Sequence, residues 1–117
     1  MKENVIKNKS FDFALRTVRA YQFLIEQKKE YVLSKQMLRS GTSIGAMVRE
    51  AEQAESSADF VHKMSIALKE ANETEYWIEL LAQAGYLDET AFKSLKADIT
   101  EILKLLISII KTSKAKK

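Results

Sequence analysis

A chain of 117 residues and 13.4 kDa has room for one domain and no second. It has no proline, no cysteine and one histidine, which excludes a disulfide framework and a thiolate metal site and leaves little for a histidine relay. Hydrophobic residues at 46% and charged residues at 30% exclude a disordered chain, and the lack of proline argues against an all-β fold with its many turns.

Four helical segments are predicted, in chain order. The first opens at Ser10 as N-cap with Asp12 in its first turn, preceded by an arm of residues 1–9. Phe11, Ala14, Leu15, Val18, Tyr21, Leu24 and Ile25 recur at three- and four-residue steps, and the helix ends near Lys28 and Lys29. The second runs from about Val32 to Glu55 on a stripe of Leu33, Met37, Gly41, Ile44, Val48 and Ala51. Each helix-interior glycine costs about 1 kcal/mol relative to alanine, yet the stripe keeps its phase through Gly41. An unbroken helix is therefore expected, with Gly41 and Gly45 admitting a close neighbour. The third starts at Ser56 or Ser57, carries Phe60, Met64, Ala67, Leu68, Ala71, Ile78 and Leu81, and stops before Gly85. Asp88 caps the fourth, whose stripe is Phe92, Leu95, Ile99, Ile102, Leu103, Leu106, Ile109 and Ile110, followed by a basic tail over 111–117. Similar lengths and short connections predict an all-α, antiparallel up-down-up-down four-helix bundle.

The N-terminal Met1-Lys2-Glu3-Asn4 has no apolar signal core, and the most apolar run, Ile102 to Ile110, holds Lys104 and falls short of the ~20 residues of a membrane span. A cytoplasmic protein without membrane contact is expected. Ile66, Trp77 and Leu80 lie off the third stripe, and Leu105 and Ile107 off the fourth. Several such residues on neighbouring faces point to a second buried surface, hence a homo-oligomer.

Arg39, Ser43, Ala46 and Glu50 share one face of the second helix, and Ile66, Glu70, Glu73 and Trp77 one face of the third. Where these faces meet, Arg39 pairs with Glu70 or Glu73. The plain reading is a solvated charged face; the sharper one is a structural network within or between subunits made by Arg39, Ser43, Glu50, Glu70, Glu73 and Trp77. A catalytic carboxylate pair is the least favoured. Asp59-x-x-His62 is the one acid-x-x-His pair, so no di-metal site and no other metal or cofactor is expected, and His62 is read as an exposed helix residue. Gly41-Thr-Ser-Ile-Gly45 lacks the Gly-Lys-Ser/Thr ending of a phosphate loop.

Charge is uneven: residues 1–39 balance at +5, residues 40–88 at −6 and residues 89–117 at +4, a pattern that suits electrostatic pairing between helices or subunits as well as a basic surface for phosphates. In an up-down bundle the two termini share one end. Lys7, Lys9, Arg16 and Arg19, with Lys111, Lys114, Lys116 and Lys117, then form a basic surface that self-association multiplies. Such a surface binds phosphate backbones of RNA or DNA without reading sequence; the plain alternative is a solubilising surface.

The stretch Leu38-Arg-Ser-Gly-Thr-Ser-Ile-Gly-Ala46, then Val48-Arg-Glu-Ala51 and Ala58-Asp-Phe-Val-His-Lys-Met-Ser-Ile-Ala-Leu-Lys-Glu-Ala-Asn-Glu-Thr-Glu-Tyr-Trp77, resembles the small bacterial proteins named after intervening sequences of 23S rRNA genes. The combination of Arg-Ser-x-x-Ser-Ile and Lys-Glu-x-x-Glu-Thr-x-Tyr-Trp is the specific part, and the likeness runs from about Phe11 to Leu106. The resemblance implies a four-helix bundle assembling into a ring, typically a homopentamer. It extends to accessory proteins of diversity-generating retroelements, which bind nucleic acid and a reverse transcriptase. The expected function is a non-enzymatic oligomeric protein that binds RNA or DNA backbones. The competing expectation is a protein-binding adaptor or scaffold that contacts a partner such as a nucleic-acid enzyme.

Overall fold

The computed structural model describes residues 2–116, with side chains from Asn4 to Lys116. It holds α1 (Lys2–Gln27), α2 (Leu33–Glu52), α3 (Ser57–Gln83) and α4 (Glu89–Ala115), and no strand among the described residues. Among the described residues each helix packs on its two neighbours and on no diagonal partner, α1–α4 being the lightest seam. Cross-links set the directions. Gly41 faces Thr17 while Gly45 faces Ser10; Arg39 meets Glu73 while Glu50 meets Lys63; Arg16 meets Asp98 while Lys9 meets Glu101. In each pair one number rises as the other falls, so α1–α2, α2–α3 and α1–α4 are antiparallel, and the up-down bundle, 48 Å long, has the start of α1 beside the end of α4.

The ends of α3 and α4 follow their sequence signals. The Ser56 hydroxyl accepts from the Asp59 N–H at 3.0 Å, and Asp59 accepts in return from the Glu55 N–H. Gly85, at φ 90°, closes α3: its N–H reaches the Ala82 carbonyl and the Tyr86 N–H the Leu81 carbonyl. Asp88 caps α4 through the Ala91 N–H at 2.8 Å. The stretch after Ile110, expected as a tail, stays helical to Ala115.

The start of α2 has a cap that sequence patterning missed. The buried Glu30 carboxylate accepts from the N–H groups of Val32, Leu33 and Ser34 at 3.1, 2.9 and 2.6 Å, and Ser34 Oγ donates back to the Glu30 carbonyl. Burial pushes the Glu30 pKa up, but the three N–H donors and the Ser34 hydroxyl together outweigh it and hold it below 4.5. The helix then runs unbroken through both glycines and ends at Glu52, three residues before the expected Glu55.

The reading of α1 needs correction. The helix starts at Lys2, so the expected arm is helical from there, and Ser10 is no cap: it is buried in mid-helix, with Oγ donating to the Lys7 carbonyl at 3.2 Å. The core-facing side is Ile6, Ser10, Phe13, Thr17 and Leu24, centred about a quarter of a turn from the expected stripe, with which it shares Leu24. Phe11, Leu15 and Val18 are 47%, 42% and 37% exposed. The cause lies on α2. A Cβ on Gly41 would stand 2.7 Å from Thr17 Cγ2, and one on Gly45 3.3 Å from the Ser10 carbonyl oxygen. The two backbones approach so closely that only short side chains fit between them. Hydroxyls satisfied within their own helix, such as Thr17 to the Phe13 carbonyl at 2.9 Å, take the place of large apolar groups.

Candidate functional site

Helix periodicity carries Arg39 to the α2–α3 groove opposite Glu70 and Glu73, one turn apart on α3. The guanidinium spans both carboxylates: Nη1 lies 3.3 Å from Glu70 and Nη2 2.5 Å from Glu73. Glu73 also accepts from Trp77 Nε1 at 2.9 Å. Arg39, then Trp77, hold the Glu73 carboxyl below its ordinary pKa, and Glu73 in turn raises that of Arg39. Ser43 joins only through its hydroxyl, which donates to the Arg39 carbonyl. Tyr76 stands edge-on to Trp77 at 4.9 Å and is exposed. The Arg39 side chain is 49% exposed and Glu73 35%, so this is a network at the rim of the bundle and not a buried ion cluster. Beneath it, Thr74 Oγ1 donates to Ser40 Oγ at 2.9 Å in the core.

Glu50 is not part of this network. It pairs with Lys63 at 3.1 Å, three turns further along α2. Ile66 and Leu80 are half-buried beside the Arg39 group, and Leu105 is half-buried on α4, whereas Ile107 is exposed.

The basic residues divide. Lys7 pairs with Glu52 at 3.3 Å, Lys9 with Glu101 at 2.9 Å, and Arg16 with Asp98 and Ser94. Glu101 raises the Lys9 pKa. These three bridge the α1–α2 and α1–α4 seams, so their charge is met by half-exposed carboxylates of the same chain. Arg19 is exposed on the C-terminal half of α1, and Lys111, Lys114 and Lys116 are exposed at the end of α4. Lys117 lies outside the described residues. Patterning also missed Lys96, which sits between Glu75 at 3.0 Å and Glu79 at 2.5 Å and ties α3 to α4; Glu79, then Glu75, raise its pKa. The sequence signal was there, since Glu75 and Glu79 are four apart.

His62 is exposed, and no three metal-ligating side chains cluster among the described residues. No helix among the described residues is long and apolar enough to cross a membrane.

A crystal structure of a protein of unknown function from the S23 ribosomal protein family, from Bacteroides thetaiotaomicron VPI-5482, is similar to this chain. Identity is 62%, coverage 95% of this chain and 99% of that one, and the TM-score 0.94. No curated protein matches. The sequence model of the family described as 23S rRNA-intervening sequence protein matches residues 2–108, which takes in all of the α2–α3 network, all of α1 and most of α4. The chain belongs to the 23S rRNA-intervening sequence protein family.

Proposed function

We propose that this protein is a non-enzymatic, cytoplasmic assembly module: a bundle that self-associates and presents a basic end to RNA or DNA backbones. The observation that carries the reading is the exposed row Phe11, Leu15 and Val18 on α1, flanked by half-buried Tyr21 and Ile25. An apolar row on a helix whose opposite side is already packed is a surface that lacks a partner. A second face, of mixed character, lies on α3, where Tyr76 is exposed and Ile66 and Leu80 are half-buried beside the Arg39–Glu73 pair. Two unlike faces suit head-to-tail contacts that close into a ring, whereas a two-fold dimer needs one self-complementary face. The family resemblance sets the expected ring at five copies. The nucleic-acid part rests on Lys111, Lys114 and Lys116, repeated around such a ring.

Size-exclusion chromatography with light scattering tests the assembly. Five copies of 13.4 kDa give about 67 kDa, and a 13.4 kDa monomer would refute it. Filter binding of RNA and DNA at low and high salt tests the second part. Expected is salt-sensitive retention that Lys111→Glu/Lys114→Glu/Lys116→Glu abolishes; no retention at low salt would remove nucleic acid from the reading.

One observation favours the adaptor reading instead. Tyr76, Trp77 and Arg39, the residue types that dominate interface hot spots, sit together at the α2–α3 rim. A partner that stays bound after nuclease treatment and is lost with Tyr76→Ala would support it.

A further inference from the structure

The α1–α4 seam opens towards the α3–α4 turn into a groove of about 440 Å3, within the range of small-ligand sites. Its floor is apolar, with Leu87 and Leu95 buried and Ala91 half-buried. Two rings stand on its walls, Phe23 from α1 and Tyr86 from the turn, and Phe23 is 45% exposed. Three cations and one carboxylate line it, and they are not equivalent. Arg16 crosses the seam to Asp98 and Ser94, so its charge is met and it closes one end of the groove. Asp88 accepts the Ala91 N–H, where the positive end of α4 offsets its charge. Arg19 and Lys28 have no ion-pair partner among the described residues, and the Lys28 ammonium stands 5.9 Å from the centre of the Phe23 ring.

We propose that this groove binds a small organic anion with a flat apolar body, of which an aromatic carboxylate is the simplest form. The floor and the two rings take the body, and Arg19 and Lys28 take the anionic group. The volume of about 440 Å3 suits a body of one or two fused rings. The proposal does not rest on self-association, since none of its residues belongs to the Phe11–Leu15–Val18 row.

The test is calorimetric titration of the whole chain with 2-naphthoate, with acetate and 2-naphthylmethanol as comparators. Expected is one saturable site per chain for naphthoate, with both comparators at least about tenfold weaker. Arg19→Gln/Lys28→Gln should weaken naphthoate by about tenfold or more while circular dichroism shows an unchanged helix melt, because both side chains are exposed. Leu15→Ser should leave binding unchanged. No saturable binding at millimolar naphthoate would overturn the proposal. So would equal binding by the double variant, or loss of binding in Leu15→Ser.

Discussion

Three backbone N–H groups converge on the Glu30 carboxylate, and no other side chain caps the start of α2. Glu30→Gln should therefore cost about 1–2 kcal/mol at neutral pH, read from the urea midpoint. Because the folded-state pKa is below 4.5, the carboxylate stabilises the fold above that value and loses its contribution as pH falls through the lower folded-state value. The gap between wild type and Glu30→Gln should thus narrow in acid; a constant gap down to pH 2 would show that the carboxylate is not the source. Arg39→Ala should cost less, up to about 1 kcal/mol, because the pair is half-exposed and Glu73 keeps its Trp77 donor. Gly41→Ala meets Thr17 at under 3 Å and should destabilise by about 1–3 kcal/mol. Gly41→Ala/Thr17→Ala should recover part of that loss, since Thr17→Ala removes both of the nearest atoms; a purely additive double variant would deny the contact.

At the scale of the element, all four helices were legible, but the start and the buried face of α1 were misplaced, and the misplaced face has one cause. On α2, α3 and α4 aliphatic stripe residues such as Met37, Ile44, Met64, Ile78, Ile99 and Leu106 are the buried ones, so hydrophobic phase finds the core. The capping serines and aspartates and Gly85 marked the ends of α3 and α4 because each acts on its own neighbours in sequence. On α1 the core side holds Ser10 and Thr17, and the size limit there is imposed by Gly41 and Gly45 from another helix. A pattern read along one helix cannot register a steric limit set by its neighbour. The candidate network shows the same divide. The pairing of Arg39 with Glu70 and Glu73 follows from one-turn spacing, but the separation of Glu50 from it depends on where Lys63 falls across the groove. Likewise, basic ends around an acidic middle suit pairing between helices, but only Lys7 finds its partner, Glu52, in the acidic middle; Lys9 and Arg16 meet Glu101 and Asp98 of the basic C-terminal segment.

For the whole molecule, the exposed α1 row lets the proposed assembly be tested apart from folding. Leu15→Asp/Val18→Asp places charge on residues that contribute little to the core. The variant should keep its helical circular dichroism and lose its assembled mass, whereas a change in a buried residue such as Ile78 should lose both. An unchanged mass would move the contact off α1.

The α1–α4 seam also bears on the order in which the bundle forms. The other three seams join helices adjacent in sequence, but Arg16 and Asp98 are 82 residues apart. Closing that loop costs the most chain entropy, and it returns the fewest contacts. The three consecutive hairpins should therefore be in place at the folding barrier, with α4 docking on α1 afterwards. Asp98→Ala should then accelerate unfolding and leave the refolding rate near wild type, in contrast to Gly41→Ala, which strikes an early hairpin and should slow refolding.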